Sequence, residues 1–302
     1  MTSAARPART GRGPRAGEGR WVLLFLAPTL IGLAVLSAGP ILATLGISLT
    51  KWDMLTAPQF VGLDNYAQLL NDDRFLIALR NTLFYTLVSV PLGLVLSLGI
   101  AMALNQQLRG IAWIRTAYFL PLVTSATAIA LVWLWIYSPN GLLNGALGVL
   151  GIPPQRWVAD ATLAMPSIIA MSVWQGLPAN TIIFLAGLQA IPTEYYDAAS
   201  VDGAGRRARF RAITLPLLTP SIFFTGILSL IGAFQVFDQV YVMANPGKPG
   251  QATITLVYFI YEAGFRNFKM GYAGAASWIM FLIVAVATIL YFRTQDRWVH
   301  YQ

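Results

Sequence analysis

Seven ionisable side chains, Glu194, Asp197, Asp202, Arg206, Arg207, Arg209 and Arg211, crowd into residues 191–216 between two long runs that carry no charge. The acids come first and the arginines follow, interleaved with Ala198, Ala199, Phe210, Ile213 and Leu215. This order suits recognition, in which charges orient a short surface element and apolar side chains pack it into a partner's groove. The arginines also suit a plainer role, fixing topology and meeting lipid headgroups. A second set is polar and almost uncharged: Ser172, Gln175 and Asn180, with Gly176 and Pro178 between them, and then Ser229, Gln235 and Asp238. These interrupt apolar runs, where each costs free energy unless it faces a partner or a water-filled cavity. Catalysis has little to use, because the same runs lack convergent His, Asp or Glu groups.

Composition narrows the class further. Of 302 residues 57% are hydrophobic and 11% charged, too apolar for a soluble globular chain and typical of a polytopic membrane protein. No cysteine is present, so disulfides and thiolate metal sites are excluded, and the single His300 leaves no imidazole cluster; neither a metal nor a cofactor is expected. The net charge of +8 does not point to nucleic acid, since the basic residues sit in short flanks between apolar runs. Nothing resembles a phosphate-cradling Gly-x-x-x-x-Gly-Lys-Ser/Thr loop, so the chain is not expected to hydrolyse ATP itself.

Runs without charge at 21–50, 81–108, 116–155, 161–193, 212–237 and 270–292 each hold the roughly 20 residues that a helix needs to cross the hydrocarbon. The expectation is an all-α membrane protein with six transmembrane helices over residues 21–292. The third run is too long for one span, and Ser138-Pro139-Asn140-Gly141 ends its helix after Tyr137, leaving Leu142 to Pro154 as an outer loop with an amphipathic segment. The fifth is expected to run on to about Met243, putting Asp238 inside it or at its outer edge. Residues 1–20, arginine-rich with Pro, Gly and Ala, read as a disordered tail, and the first apolar run is too long for a cleaved signal.

Thirteen Lys and Arg fall on the side of both termini and the central stretch, against seven on the other. Positive charge stays inside, so the termini, including the tail 293–302, and the central stretch are expected in the cytoplasm. Within that stretch, Pro192 stops the preceding helix, Thr193 is placed to cap a new one, and Asp202-Gly203 reads as a break. A second short helix is expected from Ala204 to Leu215, ending before Pro216, which makes a helix-turn-helix between spans four and five. In span four, Ser172, Gly176 and Ala179 fall at i, i+4 and i+7 on one face. In span five, Ser229, Gly232, Ala233 and Val236 share a face, with Gln235 and Asp238 beside it. Both faces fit a lined path and fit equally the close packing and hydrogen bonding of small residues between helices; Asp238 also fits the membrane interface.

Asp197-Ala198-Ala199, three residues, Gly203, nine residues, and Ile213-Thr214-Leu215-Pro216 resemble the cytoplasmic loop motif of permease subunits in binding-protein-dependent ATP-binding-cassette importers. The motif has Glu-Ala-Ala at its head; Asp197 keeps the charge and shortens the reach by one methylene. Phe60-Val61-Gly62-Leu63-Asp64-Asn65-Tyr66 with Arg80-Asn81-Thr82, and Phe234-Gln235-Val236-Phe237-Asp238 with Met270-Gly271-Tyr272-Ala273, are similar to stretches of the carbohydrate-uptake members. Ala244 to Gly250 departs from the Gly-Gly-Pro turn usual there. The resemblance implies a multi-pass subunit of the bacterial cytoplasmic membrane that carries a sugar or related polyol derivative. Implied partners are a second homologous permease, two ATPase subunits docking on the loop 194–216, and an extracytoplasmic solute-binding protein. It also implies that the span-four region, with Trp174 as an apolar platform for a sugar ring, lines the path. A secondary transporter would want more intramembrane acids than Asp238, and a membrane enzyme would want convergent groups at depth.

Overall fold

A computed structural model describes residues 18–106, 110–243 and 250–299. Most of the expected basic tail, Arg109, the 244–249 turn and His300 lie outside the described residues. Four helices are long and apolar enough to cross a membrane: α1 (Val22–Ser48), α3 (Asp73–Leu104), α7 (Ala164–Gln189) and α13 (Met270–Trp298). Short α2 (Asp64–Leu70) precedes α3. Two further crossings are bent pairs, α4 (Ile111–Val123) with α5 (Ala126–Ile136) at 103°, and α9 (Arg206–Leu217) with α10 (Thr219–Phe234) at 62°. Up to six spans result; the third is broken where the sequence suggested a single helix, and the 62° bend falls close to the boundary expected at Pro216 between the second short helix and the fifth span.

Each break has a local cause. Pro121 tightens the end of α4 into a 3₁₀ turn, and Ser125, in extended conformation, restarts the chain as an N-cap that accepts from the Ala128 amide at 3.2 Å. Helix α10 stops at Phe234, residues 235–237 are irregular, and a separate helix α11 (Asp238–Met243) follows. The fifth span therefore does not continue to Met243, and Asp238 opens α11 on an exposed position. Between α5 and α7, Gly141 starts the short helix α6 (Leu142–Val149).

Helices α3 and α7 pack along each other as the central pair; α10 closes on α3 and α13, and α13 on the end of α1. At one end Ala101, Phe184, Leu185, Leu188 and Leu218 form a buried cluster. Tyr291 of α13 stacks on Phe223 there and Trp298 packs edge-on against it, with ring centroids 5.0 and 5.9 Å away. Residues 191–216 lie at this end, called the hairpin end below. At the opposite end Asp72 caps α3 by accepting from the amides of Arg74 and Phe75, and takes a 2.5 Å hydrogen bond from the Tyr272 hydroxyl. Arg74 pairs with Glu262, just beyond the short helix α12 (Leu256–Tyr261). A two-residue antiparallel pair, Thr50↔Phe60 and Lys51↔Gln59, is the only strand structure among the described residues. Its turn is fixed by Asp53, whose carboxylate accepts from Thr56 and Leu55; the Thr56 amide first of all holds this carboxyl below its ordinary range. Helix α1 is exposed along its whole apolar window, which leaves lipid or a second subunit to cover it.

Gly271 meets this turn most closely. A Cβ there would lie 1.7 Å from the Thr50 carbonyl oxygen and 3.1 Å from the Asn65 amide that holds the same loop. Gly271→Ala is expected to lower the thermal midpoint of the detergent-purified protein, an overpacking cost of about 1–3 kcal/mol. Gly46→Ala, with open space around its Cβ, should not lower it.

Candidate functional site

Two features collect the residues singled out by sequence. The first is the hairpin of α8 (Thr193–Val201) and α9. Its N-cap is Pro192, and Thr193 is already helical with no side-chain cap, so the expected threonine cap is not made. The other end is a Schellman closure. Gly203 has φ +74°, its amide bonds the Ser200 carbonyl at 3.1 Å, and the Ala204 amide bonds that of Ala199 at 2.8 Å. Only glycine reaches that φ without a steric penalty. The second helix begins at Arg206, contains a π segment at Phe210–Thr214, and continues through Pro216, two residues past the expected stop. Pro216 is tolerated because the helix loosens just before it.

One face of the hairpin turns inward. The Tyr196 hydroxyl and Thr214 Oγ1 are 3.0 Å apart, Arg209 Nε donates to the Ala204 carbonyl at 2.8 Å, and Ala199, Phe210, Ile213 and Pro216 are half-buried. The other face is exposed: Glu194, Asp197, Ala198, Asp202, Gly203, Arg206 and Leu215, with Tyr195 and Val201. None of its acids or arginines forms an ion pair with another described residue. The result is a surface with open charges around the exposed apolar side chains of Tyr195, Val201 and Leu215. Tyr195 and Val201 were not among the residues chosen from sequence; the signal was an apolar residue set between the acids.

The second feature is a cavity of about 530 Å³ among α3, α7 and α10. Ten of the twelve path candidates line it: Ser172, Gly176, Ala179, Asn180, Ser229, Gly232, Ala233, Gln235, Val236 and Asp238. Asn180 Nδ2 donates to Ser229 Oγ at 3.3 Å, tying α7 to α10 across the wall. Gln175 is absent from the lining and accepts from Gln239 Nε2 at 3.2 Å, bridging α7 to α11. Trp174 faces elsewhere and packs edge-on against Trp133 with centroids 5.7 Å apart, so it offers the cavity no platform. The aromatic surfaces present are Tyr85 and Phe237. Tyr85, Ser89 and Gly93 of α3 complete the wall, a stripe at i, i+4 and i+8 that was readable in the sequence but left unread.

A polytopic helical membrane protein with a polar cavity between its spans and an exposed charged hairpin at one end is the class these features define. The chain belongs to the binding-protein-dependent transport system inner membrane components, the family it matches over residues 89–299. It is 39% identical over 283 residues to the "Probable ABC transporter permease protein YesP" of Bacillus subtilis (strain 168), covering 92% of this chain and 91% of that one. It is 37% identical over 275 residues to the lactose transport system permease protein LacF of Rhizobium radiobacter, covering 89% and 92%. Its fold superposes with a TM-score of 0.83, at 23% identity, on a chain of a bacterial alginate ABC transporter solved with an alginate pentasaccharide-bound periplasmic protein, covering 93% of this chain and 96% of that one.

If the cavity holds water, cysteines introduced at Ser172, Ser229 and Gly232 should react with a small water-soluble methanethiosulfonate, because the reactive thiolate forms only where it is solvated. Cysteines at Val95 and Phe224, exposed on the same helices outside the lining, should stay unreactive in a bilayer. The chain's lack of native cysteine makes the readout clean. Equal labelling of the two groups would show that the cavity is not hydrated.

Proposed function

We propose that this chain is the translocating membrane subunit of an ATP-driven importer for a sugar or related polyol derivative, delivered by an extracytoplasmic binding protein. The cavity carries the reading: neutral hydroxyl and amide groups of α3, α7 and α10 converge on a space of sugar size among helices that are otherwise apolar. The extended similarity to a lactose-system permease supports the same solute class. The chain itself does no covalent chemistry. Two ATPase subunits supply the energy, a second homologous permease completes the path, and the unit 21–292 is flanked by short cytoplasmic tails.

In this reading the exposed face of α8 seats in a groove of the ATPase, with Asp197, Asp202 and Arg206 orienting it and Val201 and Tyr195 packing. The hairpin continues directly into α7 and α10, which form two walls of the cavity, so a rigid-body movement at the ATPase reaches the solute path without an intermediate. The excess of Lys and Arg on the hairpin side supports a cytoplasmic hairpin.

Orientation is tested with an impermeant thiol reagent on intact cells. Cysteines at Leu55 and Val149, both strongly exposed at the opposite end, should be labelled, and those at Gln106 and Val201 shielded; labelling of position 201 from outside would reverse the topology. Coupling is tested at the turn. Gly203→Val puts a β-branched residue at φ +74°, at a cost of roughly 1–2 kcal/mol that re-aims α8 against α9. Insertion should be normal, while uptake is lost and ATP hydrolysis no longer responds to the loaded binding protein. A cysteine at Val201 should cross-link to the ATPase in the wild-type background and lose that cross-link beside Gly203→Val. Wild-type uptake with the cross-link intact would remove the turn from the mechanism.

A further inference from the structure

Among the described residues nineteen line the cavity among α3, α7 and α10, and Asp238 is the only one of them that carries a charge. The remaining polar side chains are hydroxyls, such as those of Ser89, Ser172 and Ser229, and the amides of Asn180, Gln235 and Gln239. Each of these groups can both donate and accept a hydrogen bond. A sugar hydroxyl does the same, so this lining can satisfy a ring of hydroxyls in several orientations, while the faces of Tyr85 and Phe237 suit its C–H surfaces. A carboxylate or phosphate asks for something different. It accepts only, and its removal from water is offset by donors backed by a cation, normally arginine or lysine. Among the described residues no cation lines the cavity. Asp238, exposed just after the break that ends α10, instead sets a like charge against any incoming anion that reaches the cavity.

We infer that this cavity takes an electrically neutral glycan and that Asp238 is the specificity-determining residue that keeps carboxylated and phosphorylated sugars out. The inference rests on the cavity being the solute path. Relatives of similar fold carry cargo of either charge class by name, lactose in one and the acidic polysaccharide alginate in another, so the fold alone does not decide the point.

The test is equilibrium binding to the assembled permease and ATPase complex without its binding protein, read by saturation-transfer NMR at millimolar ligand. The probes are lactose, maltose and cellobiose, each paired with the uronate in which its terminal CH₂OH is a carboxylate. At least one neutral member should bind, and its uronate should bind at least tenfold more weakly. Asp238→Asn should narrow that gap at least threefold, and Asp238→Lys should narrow it further. Uronates binding as well as their neutral partners, none of the neutral members binding, or a gap unchanged in both variants would overturn the inference. A separate variant distinguishes this from failure of the path itself. Gly232 lines the cavity with open space around its Cβ, so Gly232→Leu starts from an unobstructed position and takes up cavity volume. Neutral binding that survives Gly232→Leu means that the cavity is not the path. Neutral binding lost in Gly232→Leu, alongside full uronate binding to the wild type, means that only the charge selectivity is wrong.

Discussion

A polar group inside hydrocarbon must find its partner within the protein, and this requirement arranges the spans. A net hydrogen bond contributes about 0.5–1.5 kcal/mol, whereas a buried group left without one costs about 1–3 kcal/mol. Thr82 shows the consequence: its Oγ1 donates to the Ala78 carbonyl at 2.9 Å and accepts from the Leu256 amide at 2.8 Å, fastening the segment before α12 to α3. Asn81 extends the seam by donating to the carbonyls of Gln251 and Ile254. Thr181, fully buried, is held by the Tyr118 hydroxyl at 3.1 Å and by the Ser97 carbonyl at 3.4 Å. Polar residues therefore gather along α3 and α7, where these helices meet each other, α4 and the segment leading into α12. The cavity among α3, α7 and α10 brings further polar side chains together, among them Ser89, Ser172, Asn180 and Ser229.

The same seam makes the bundle stiff where it adjoins the hairpin. At Gly187 of α7 a Cβ would come within 2.3 Å of Ser221 Oγ and 2.8 Å of Leu218 Cδ1, and at Gly226 within 2.2 Å of the Tyr291 hydroxyl. These glycines let α7, α10 and α13 approach until backbone and side chain touch, which favours movement as packed bodies over bending of single helices. The hairpin is compact for its own reasons: its two helices are joined by the Tyr196 to Thr214 contact and closed by the Schellman turn at Gly203. In the proposed mechanism this matters because a lever transmits motion only if neither the lever nor its attachment yields.

How much of this was legible in the sequence depends on whether the signal was local. Gly203 was readable, because a turn with positive φ demands a residue without Cβ and the flanking pattern allowed a helix on either side. Thr193 was misread since Pro192, with its fixed φ and extended ψ of 135°, itself occupies the boundary and shifts the threonine one position inward. Helical periodicity placed Ser172, Gly176 and Ala179 on one wall, and the same arithmetic turns Trp174 about 200° away from Ser172, towards Trp133. The stripe Tyr85, Ser89, Gly93 obeyed the same rule and was missed only because α3 holds polar residues on more than one face, among them Thr82, Thr86 and Ser97. The 62° bend falls beside Pro216, where the sequence already ended the second short helix, but the 103° bend was not legible. In a run that is apolar throughout, no face distinguishes a straight helix from a folded one, and tertiary contacts decide.

The break after α10 is the least local feature and connects most directly to the cavity. Residues 235–237 leave the helix with neither proline nor glycine among them, so chain chemistry alone does not stop it. Irregular backbone at membrane depth is tolerated only where protein covers it or where it borders a polar space. Both conditions hold here: the Val236 carbonyl accepts from Thr255 Oγ1 at 3.2 Å, and Gln235, Val236 and Phe237 all line the cavity. Helix α11 then turns to pack on α5, the second half of the other bent span. Each broken span thus stabilises the other, and the two breaks are better understood as one packing arrangement than as separate interruptions. Its effect is to end α10 beside the cavity and to leave Asp238 there, at the start of a new helix, where a continuous fifth span would have carried that carboxylate onward within a single rod.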